Sequence, residues 1–239
     1  MSKALLYALI AAAGNVIGAL AVTRRAVREL RVIDLLVAFG AGFMLSVAIV
    51  ELLPEALARS GSAAPALVLL GYLAVHLTQH TVTPHFHFGE ETHPVSQVAG
   101  TSALVGLLLH TFFDGVAIAS AFLVRPQLGI MVFIAIFLHK LPEGVTIASL
   151  MQAAGRSAGQ AIGGAALLGI ATLIGVVLTD QLGFLVQHGL ALSAGVTIYV
   201  AASNLVPEFQ GKKGWKLPAA FFAGAAIFFL TKTLMDGVS

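Results

Sequence analysis

The 239-residue chain contains no cysteine. That excludes a disulfide framework and thiolate ligands together, so any metal must be held by nitrogen, oxygen or methionine sulfur. Charge is also scarce: Asp, Glu, Lys and Arg make up 10% of the residues, where a soluble domain carries about 25%. Hydrophobic residues reach 58% and the mean hydropathy is +0.95, so the apolar surplus has to face lipid. Nor is there a monotonous leucine tract. The apolar stretches are rich in Ala, Val and Gly, the small residues that let membrane helices approach closely; Gly163 and Gly164 sit together inside one of them. The formal charge of +2 says less than the placement of the charges.

A membrane-spanning helix needs roughly 20 mostly apolar residues. On that criterion the chain is an all-α membrane protein of eight transmembrane helices, at about 4–22, 33–54, 64–83, 97–123, 128–151, 158–178, 183–206 and 217–235. The first is not a cleavable signal, because Arg24, Arg25, Arg28 and Arg31 follow its apolar run instead of preceding it. The positive-inside rule puts those arginines in the cytoplasm. Alternation then places Arg156, Lys212, Lys213 and Lys216 inside, and Lys3, Arg59, Arg125 and Lys232 outside. Both termini are therefore expected outside, with residues 1–239 forming a single transport domain.

Within span four, His110-Thr-Phe-Phe-Asp114-Gly-Val-Ala-Ile-Ala-Ser120 recurs 29 positions later in span five as His139-Lys-Leu-Pro-Glu143-Gly-Val-Thr-Ile-Ala-Ser149, with six of eleven residues identical. A charged side chain at a bilayer centre costs ~2.5–3.5 kcal/mol on insertion scales, so ionisable residues there are functional candidates. His and a carboxylate four apart share one helix face. Doubled, they are the ligand set of a divalent transition metal. Two helices joined only by His–carboxylate hydrogen bonds are the bland alternative, but such bonds average about 0.6 kcal/mol in one membrane protein, less than the insertion cost of two carboxylates. Gly115 and Gly144 favour close packing of the two spans. Pro142 frees a backbone carbonyl near position 138 and is expected to kink span five. Lys140 needs an anionic partner in hydrocarbon, and Asp114 or Glu143 could supply it. That lysine leaves the site with one net negative charge, which favours a single metal.

A second repeat aligns residues 40–55 of span two on 193–208 of span seven without gaps, with seven of sixteen positions identical. The two spans run in opposite directions, as do spans four and five. A 3+2+3 inverted-repeat bundle follows, with spans one to three mirroring six to eight. Inverted repeats are a common build of secondary transporters, with the site near the midplane. Glu51 and Glu55 fall near the outer end of span two, and Asn204 and Glu208 near the inner end of span seven. They read either as pathway gates or as Pro-Glu pairs that end their helices. Between spans three and four, residues 84–96 form a cytoplasmic His-rich loop. His76, His80, His85, His87 and His93 lie in or beside it, and they read either as weak metal ligands or as polar surface. His188 stands alone in an outer loop, where solvation is expected.

His-x-x-x-Asp-Gly in span four and His-Lys-x-Pro-Glu-Gly in span five resemble the signature of the Zrt/Irt-like (ZIP) family of divalent metal transporters. The resemblance extends to the eight spans, the His-rich loop and Pro-Glu in spans two and seven. It implies that His110, Asp114, His139 and Glu143 carry Zn²⁺, or Cd²⁺, Fe²⁺ or Mn²⁺, toward the cytoplasm across the cell membrane (the inner membrane in a bacterium). Met44 falls about where some members place a soft ligand. The family often has Asn where this chain has Thr111. Some members use the position of Lys140 for a second metal, which this lysine puts in doubt. No prosthetic group is implied: the cation is the substrate. The expected partners are that ion, the bilayer and, in a homodimer, a second copy of the chain; nucleic acid is not among them. An intramembrane zinc metalloenzyme, with zinc activating water, is the alternative function, and a non-transporting sensor centred on the loop is a third.

Overall fold

A computed structural model describes residues 3–24, 30–79 and 97–237. Among them the secondary structure is entirely helical. The α-helices are α1 (Lys3–Thr23), α2 (Leu30–Val47), α3 (Leu53–Ser60), α4 (Ala64–Leu77), α5 (Gln97–Val124), α6 (Pro126–Ala153), α7 (Ala158–Gln181), α8 (Gly183–Tyr199), α9 (Val206–Gln210) and α10 (Lys216–Asp236). Seven helical stretches are long and apolar enough to cross a membrane; one of them, Val32–Leu77, is 46 residues long. The chain is a multi-pass membrane protein. Large apolar side chains such as Leu69, Leu70, Phe222 and Leu234 stay more than half exposed, as they must where the surrounding solvent is hydrocarbon.

Local chemistry sets the breaks. Arg125 is extended and Pro126 opens α6, where a missing N–H costs nothing. Ser157 and Gln160 form a reciprocal capping box at the start of α7. Gly61, with φ 54°, closes α3, a backbone that a β-carbon would resist.

Two wide turns interrupt otherwise α-helical spans, at Ala48–Leu52 and Val200–Leu205. Each precedes a proline. Pro54 and Pro207 have no N–H to give, and their rings clash with a carbonyl one turn back in a regular helix. Widening the turn relieves that conflict: Leu53 N–H reaches back to Ala48 O and Val206 N–H to Ala201 O, five residues each. The Pro-Glu pairs therefore do not end these helices. The chain stays helical through α3 to Ser60 and through α9 to Gln210, beyond the ends expected at about 54 and 206. Pro142 likewise lies inside α6, which remains helical from Pro126 to Ala153.

Packing is pairwise and backbone-close. α1 lies on α6, α5 on α7, α2 on α10 and α4 on α8, while α5 also meets α6. Glycines make each of the four main pairings possible, two per interface. A β-carbon on Gly18 would lie 2.2 Å from Leu141 O, and one on Gly144 2.0 Å from Asn15 O. Gly115 meets Thr172 O in the same way, and Gly175 meets Phe112 O. Gly42 abuts Phe221 O while Gly224 abuts Phe39 O; Gly71 abuts Leu192 O while Gly195 abuts Val68 O. In a medium without a hydrophobic drive between helices, such contact is what holds them together.

His188 is not in a loop. It lies in α8, half-buried, with Nδ1 3.0 Å from Ser60 Oγ, so a hydrogen bond to α3 replaces the solvation expected of it.

Candidate metal site

α5 and α6 bring His110, Asp114 and His139 together. One ligand atom from each lies within 4.8 Å of the other two. Asp114 Oδ2 is 3.4 Å from Nε2 of both histidines. The imidazole rings stack at 5.4 Å with 23° between their planes. All three residues are buried. The four-residue spacing lets His110 and Asp114 project from one face of α5, while His139 arrives from the equivalent turn of α6.

Lys140 completes the cluster from within. Its Nζ is 2.7 Å from Asp114 Oδ2 and 2.7 Å from Glu143 Oε2, and it is fully buried. Both carboxylates named as partners from the sequence are engaged at once. Glu143 is thereby joined to the triad through an ammonium rather than standing among its clustered ligand atoms. A buried charge is costly unless it is paired, and Lys140 stands within pairing distance of both carboxylates.

Several polar atoms here remain unsatisfied. His110 Nδ1 and Nε2 and Glu143 Oε1 are buried without a hydrogen-bond partner, although His110 Nε2 lies 3.4 Å from Asp114 Oδ2. His139 is better held: its Nδ1 lies 3.2 Å from Ala135 O, which orients the ring and points Nε2 at Asp114. An imidazole fixed through one nitrogen with the other turned to a carboxylate is the arrangement of a metal ligand and its support. Ser120 and Ser149, at matching positions of the two motifs, also have unpartnered buried hydroxyls.

One site residue escaped the sequence reading. Asn15, on α1, is fully buried. With its amide oriented to satisfy both neighbours, Nδ2 donates to Glu143 Oε2 at 3.2 Å and to Lys140 O at 2.6 Å. Gly144, packed directly on Asn15 O, is what lets α1 come so near. The only signal in the sequence was an amide in the middle of an apolar span.

The remaining predicted residues are distributed along the molecule. Glu51 is buried and takes Arg125 Nη2 at 2.5 Å and Lys232 Nζ, while Glu55 Oε2 is 3.3 Å from Arg125 Nη1. Asn204 sits in the second wide turn, with its Nδ2 unpartnered. Glu208 lies 3.8 Å from Lys212, which binds Asp34 Oδ1 at 2.7 Å. Met44 is buried in the apolar core on α2, a helix that packs against α6. His76 is exposed on α4, its ring 5.8 Å from that of Tyr199. His80, His85, His87 and His93 lie outside the described residues, as does the whole loop 84–96.

Comparison with known proteins points to one family. The family model described as ZIP Zinc transporter matches residues 94–232, a stretch that contains both His–carboxylate motifs. Human zinc transporter ZIP6 is 29% identical over 134 residues, covering 52% of this chain and 18% of its own length. Zinc transporter ZIP9-B of Xenopus laevis is 29% identical over 160 residues, or 60% of this chain and 52% of that protein. Zinc transporter foi of Drosophila melanogaster is 31% identical over 110 residues, 45% of this chain and 16% of its own. The chain thus spans between about a sixth and a half of the length of these relatives.

Proposed function

The chain belongs to the ZIP zinc transporter family, and we propose that it carries a divalent transition metal, Zn²⁺ foremost, through the membrane toward the cytoplasm by way of a site made of His110, Asp114, His139 and Glu143. One observation carries the reading: a fully buried imidazole–carboxylate–imidazole triad in which His110 has no hydrogen-bond partner for either nitrogen. Two imidazole nitrogens and a carboxylate oxygen are ligands that Zn²⁺ accepts. Glu143, with one free oxygen, stands next to them. Cd²⁺, Fe²⁺ and Mn²⁺ fit the same donor chemistry less selectively. Family membership favours transport over the intramembrane metalloenzyme.

The architecture supporting this route is an eight-span bundle in the 3+2+3 order, with both termini outside. The 46-residue stretch Val32–Leu77 would be about 69 Å long as one straight helix, more than twice the roughly 30 Å hydrocarbon core. The positive φ of Gly61 marks where it divides. The packing has the exchange symmetry that an inverted repeat requires. The register that pairs Gly42 with Gly195 also pairs Gly71 with Gly224, and each of these meets the other repeat's equivalent carbonyl. The central motifs, shifted onto one another, likewise exchange Gly18–Leu141 with Gly175–Phe112. The two wide turns before Pro54 and Pro207 correspond as well. On this reading Glu51 and Glu55 line the outer end and Asn204 and Glu208 the inner end, with Lys140 keeping the centre mononuclear. Met44 is carried as a soft ligand from α2.

Zinc flux into proteoliposomes containing the purified protein tests the assignment. His139→Ala and Glu143→Ala should each lower flux at least about tenfold, the loss of one ligand's worth of binding, while the protein still inserts. Normal flux in both variants would sink it.

A further inference from the structure

α2 and α10 begin side by side, and between their first turns lies a cavity of about 700 Å³. Its lining is of two kinds. Val32, Leu35 and Leu217 are apolar, and Val32 is 53% exposed. Lys212, Lys213 and Lys216, with Trp215, supply the polar part. Lys212 is spent on Asp34 and Glu208, so the one carboxylate in the cavity is neutralised. Lys213 and Lys216 have no carboxylate within ion-pair reach among the described residues. Between them Trp215, the only tryptophan of the chain, is 75% exposed. A bare indole beside two ammonium groups at the end of a span is the chemistry of a membrane–water interface. α10 is also the least covered of the candidate spans, with 11% of its apolar window buried.

We propose that this groove is a binding site for one anionic phospholipid, its phosphate held by Lys213 and Lys216 and its acyl chain laid over Val32, Leu35 and Leu217. The ammonium groups alone would equally suit free inorganic phosphate. The apolar residues that share the cavity with them favour a lipid, because an acyl chain can lie on Val32, Leu35 and Leu217 where a free anion makes no use of them. Nothing in this assignment depends on what the protein transports; it needs only the membrane.

The single tryptophan makes the test direct. The full-length protein is reconstituted into vesicles of phosphatidylcholine mixed with phosphatidylglycerol, with bromine on the acyl chains of one lipid at a time, and quenching of Trp215 is followed against mole fraction. Attraction of about 1 kcal/mol per interfacial lysine is a factor of about five, so quenching should report at least a fivefold preference for phosphatidylglycerol. In Lys213→Ser/Lys216→Ser the preference should fall to near one; in Lys213→Gln alone it should fall partway, which keeps the test open if the double variant does not insert. Equal quenching by both lipids would overturn the proposal. So would a preference that survives in the lysine variants, which would place the selectivity elsewhere. Loss of the preference on adding millimolar inorganic phosphate, at an ionic strength matched with chloride, would replace the lipid by a free-anion site and overturn it too.

Discussion

Replacing Gly144 by alanine should unseat α1 and disable the site, although it adds a single methyl group about one and a half turns beyond His139. A β-carbon there would sit 2.0 Å from Asn15 O and 2.7 Å from Asn15 C, where ordinary contact begins near 3.4 Å. The obstacle is backbone, so no side-chain rotation relieves it. α1 and α6 must separate by more than an ångström. Overpacking of that kind costs about 1–3 kcal/mol. The separation also takes Asn15 Nδ2, now 3.2 Å from Glu143 Oε2, out of reach, and a hydrogen bond to a charged group adds roughly 1.5–3 kcal/mol. On the scale for soluble proteins of this size, a total near 4 kcal/mol lowers Tm by about 8–16 °C. Gly163→Ala is the control, because a β-carbon there meets nothing within 4 Å and alanine is the better helix former by about 1 kcal/mol. Thermal unfolding in detergent and zinc flux in proteoliposomes should therefore separate the two variants, with loss of both for Gly144→Ala and none for Gly163→Ala. Equal melting temperatures for the two would refute the claim that glycine-mediated backbone contact holds α1 against the site.

Three further outcomes are expected. Lys140→Asp exchanges the ammonium that bridges Asp114 and Glu143 for an oxygen ligand, so purified protein should gain one metal per chain, whereas Lys140→Ala should leave the count at one; two metals in the unaltered chain would contradict the mononuclear centre. Asn15→Leu keeps the volume but removes the donor to Glu143, and flux should drop several-fold with little change in insertion; flux equal to that of the unaltered chain would show that Asn15 does not position Glu143. Changing His80, His85, His87 and His93 to Ser should preserve flux in liposomes, and complete loss would put the loop in the pathway.

The spans were legible because hydropathy over 20 residues is a strong signal: α5, α6, α7 and α10 begin and end within a few residues of expectation. The central site was legible for a related reason, since two His–carboxylate pairs at helical spacing have no cheap explanation in hydrocarbon. What the sequence concealed were effects of contact. Asn15 looked like an isolated amide until α1 was seen lying on Gly144. Pro54 and Pro207 read as helix ends because a proline normally costs a hydrogen bond; a widened turn absorbs that cost, and no residue pattern announces it. His188 read as loop because its partner, Ser60, is more than a hundred positions away.

Charge pairing along the molecule follows one rule at three places. Glu51 and Glu55 are held by Arg125 and Lys232, Asp114 and Glu143 by Lys140, and Asp34 and Glu208 by Lys212. Burying a charge is costly unless it is paired, and here the chain's own cations supply the pairing. In the proposed transport route, an arriving metal meets carboxylates already desolvated, and must shed its own hydration and displace an ammonium to reach them. A divalent ion has the advantage in that exchange, since its Coulomb attraction at equal distance is twice that of a single charge. Potassium or sodium has no such advantage over a lysine fixed in place. On that proposed route the buried lysine would favour divalent cargo without contributing a ligand, and the histidines, which bind alkali ions poorly, would reinforce the same choice.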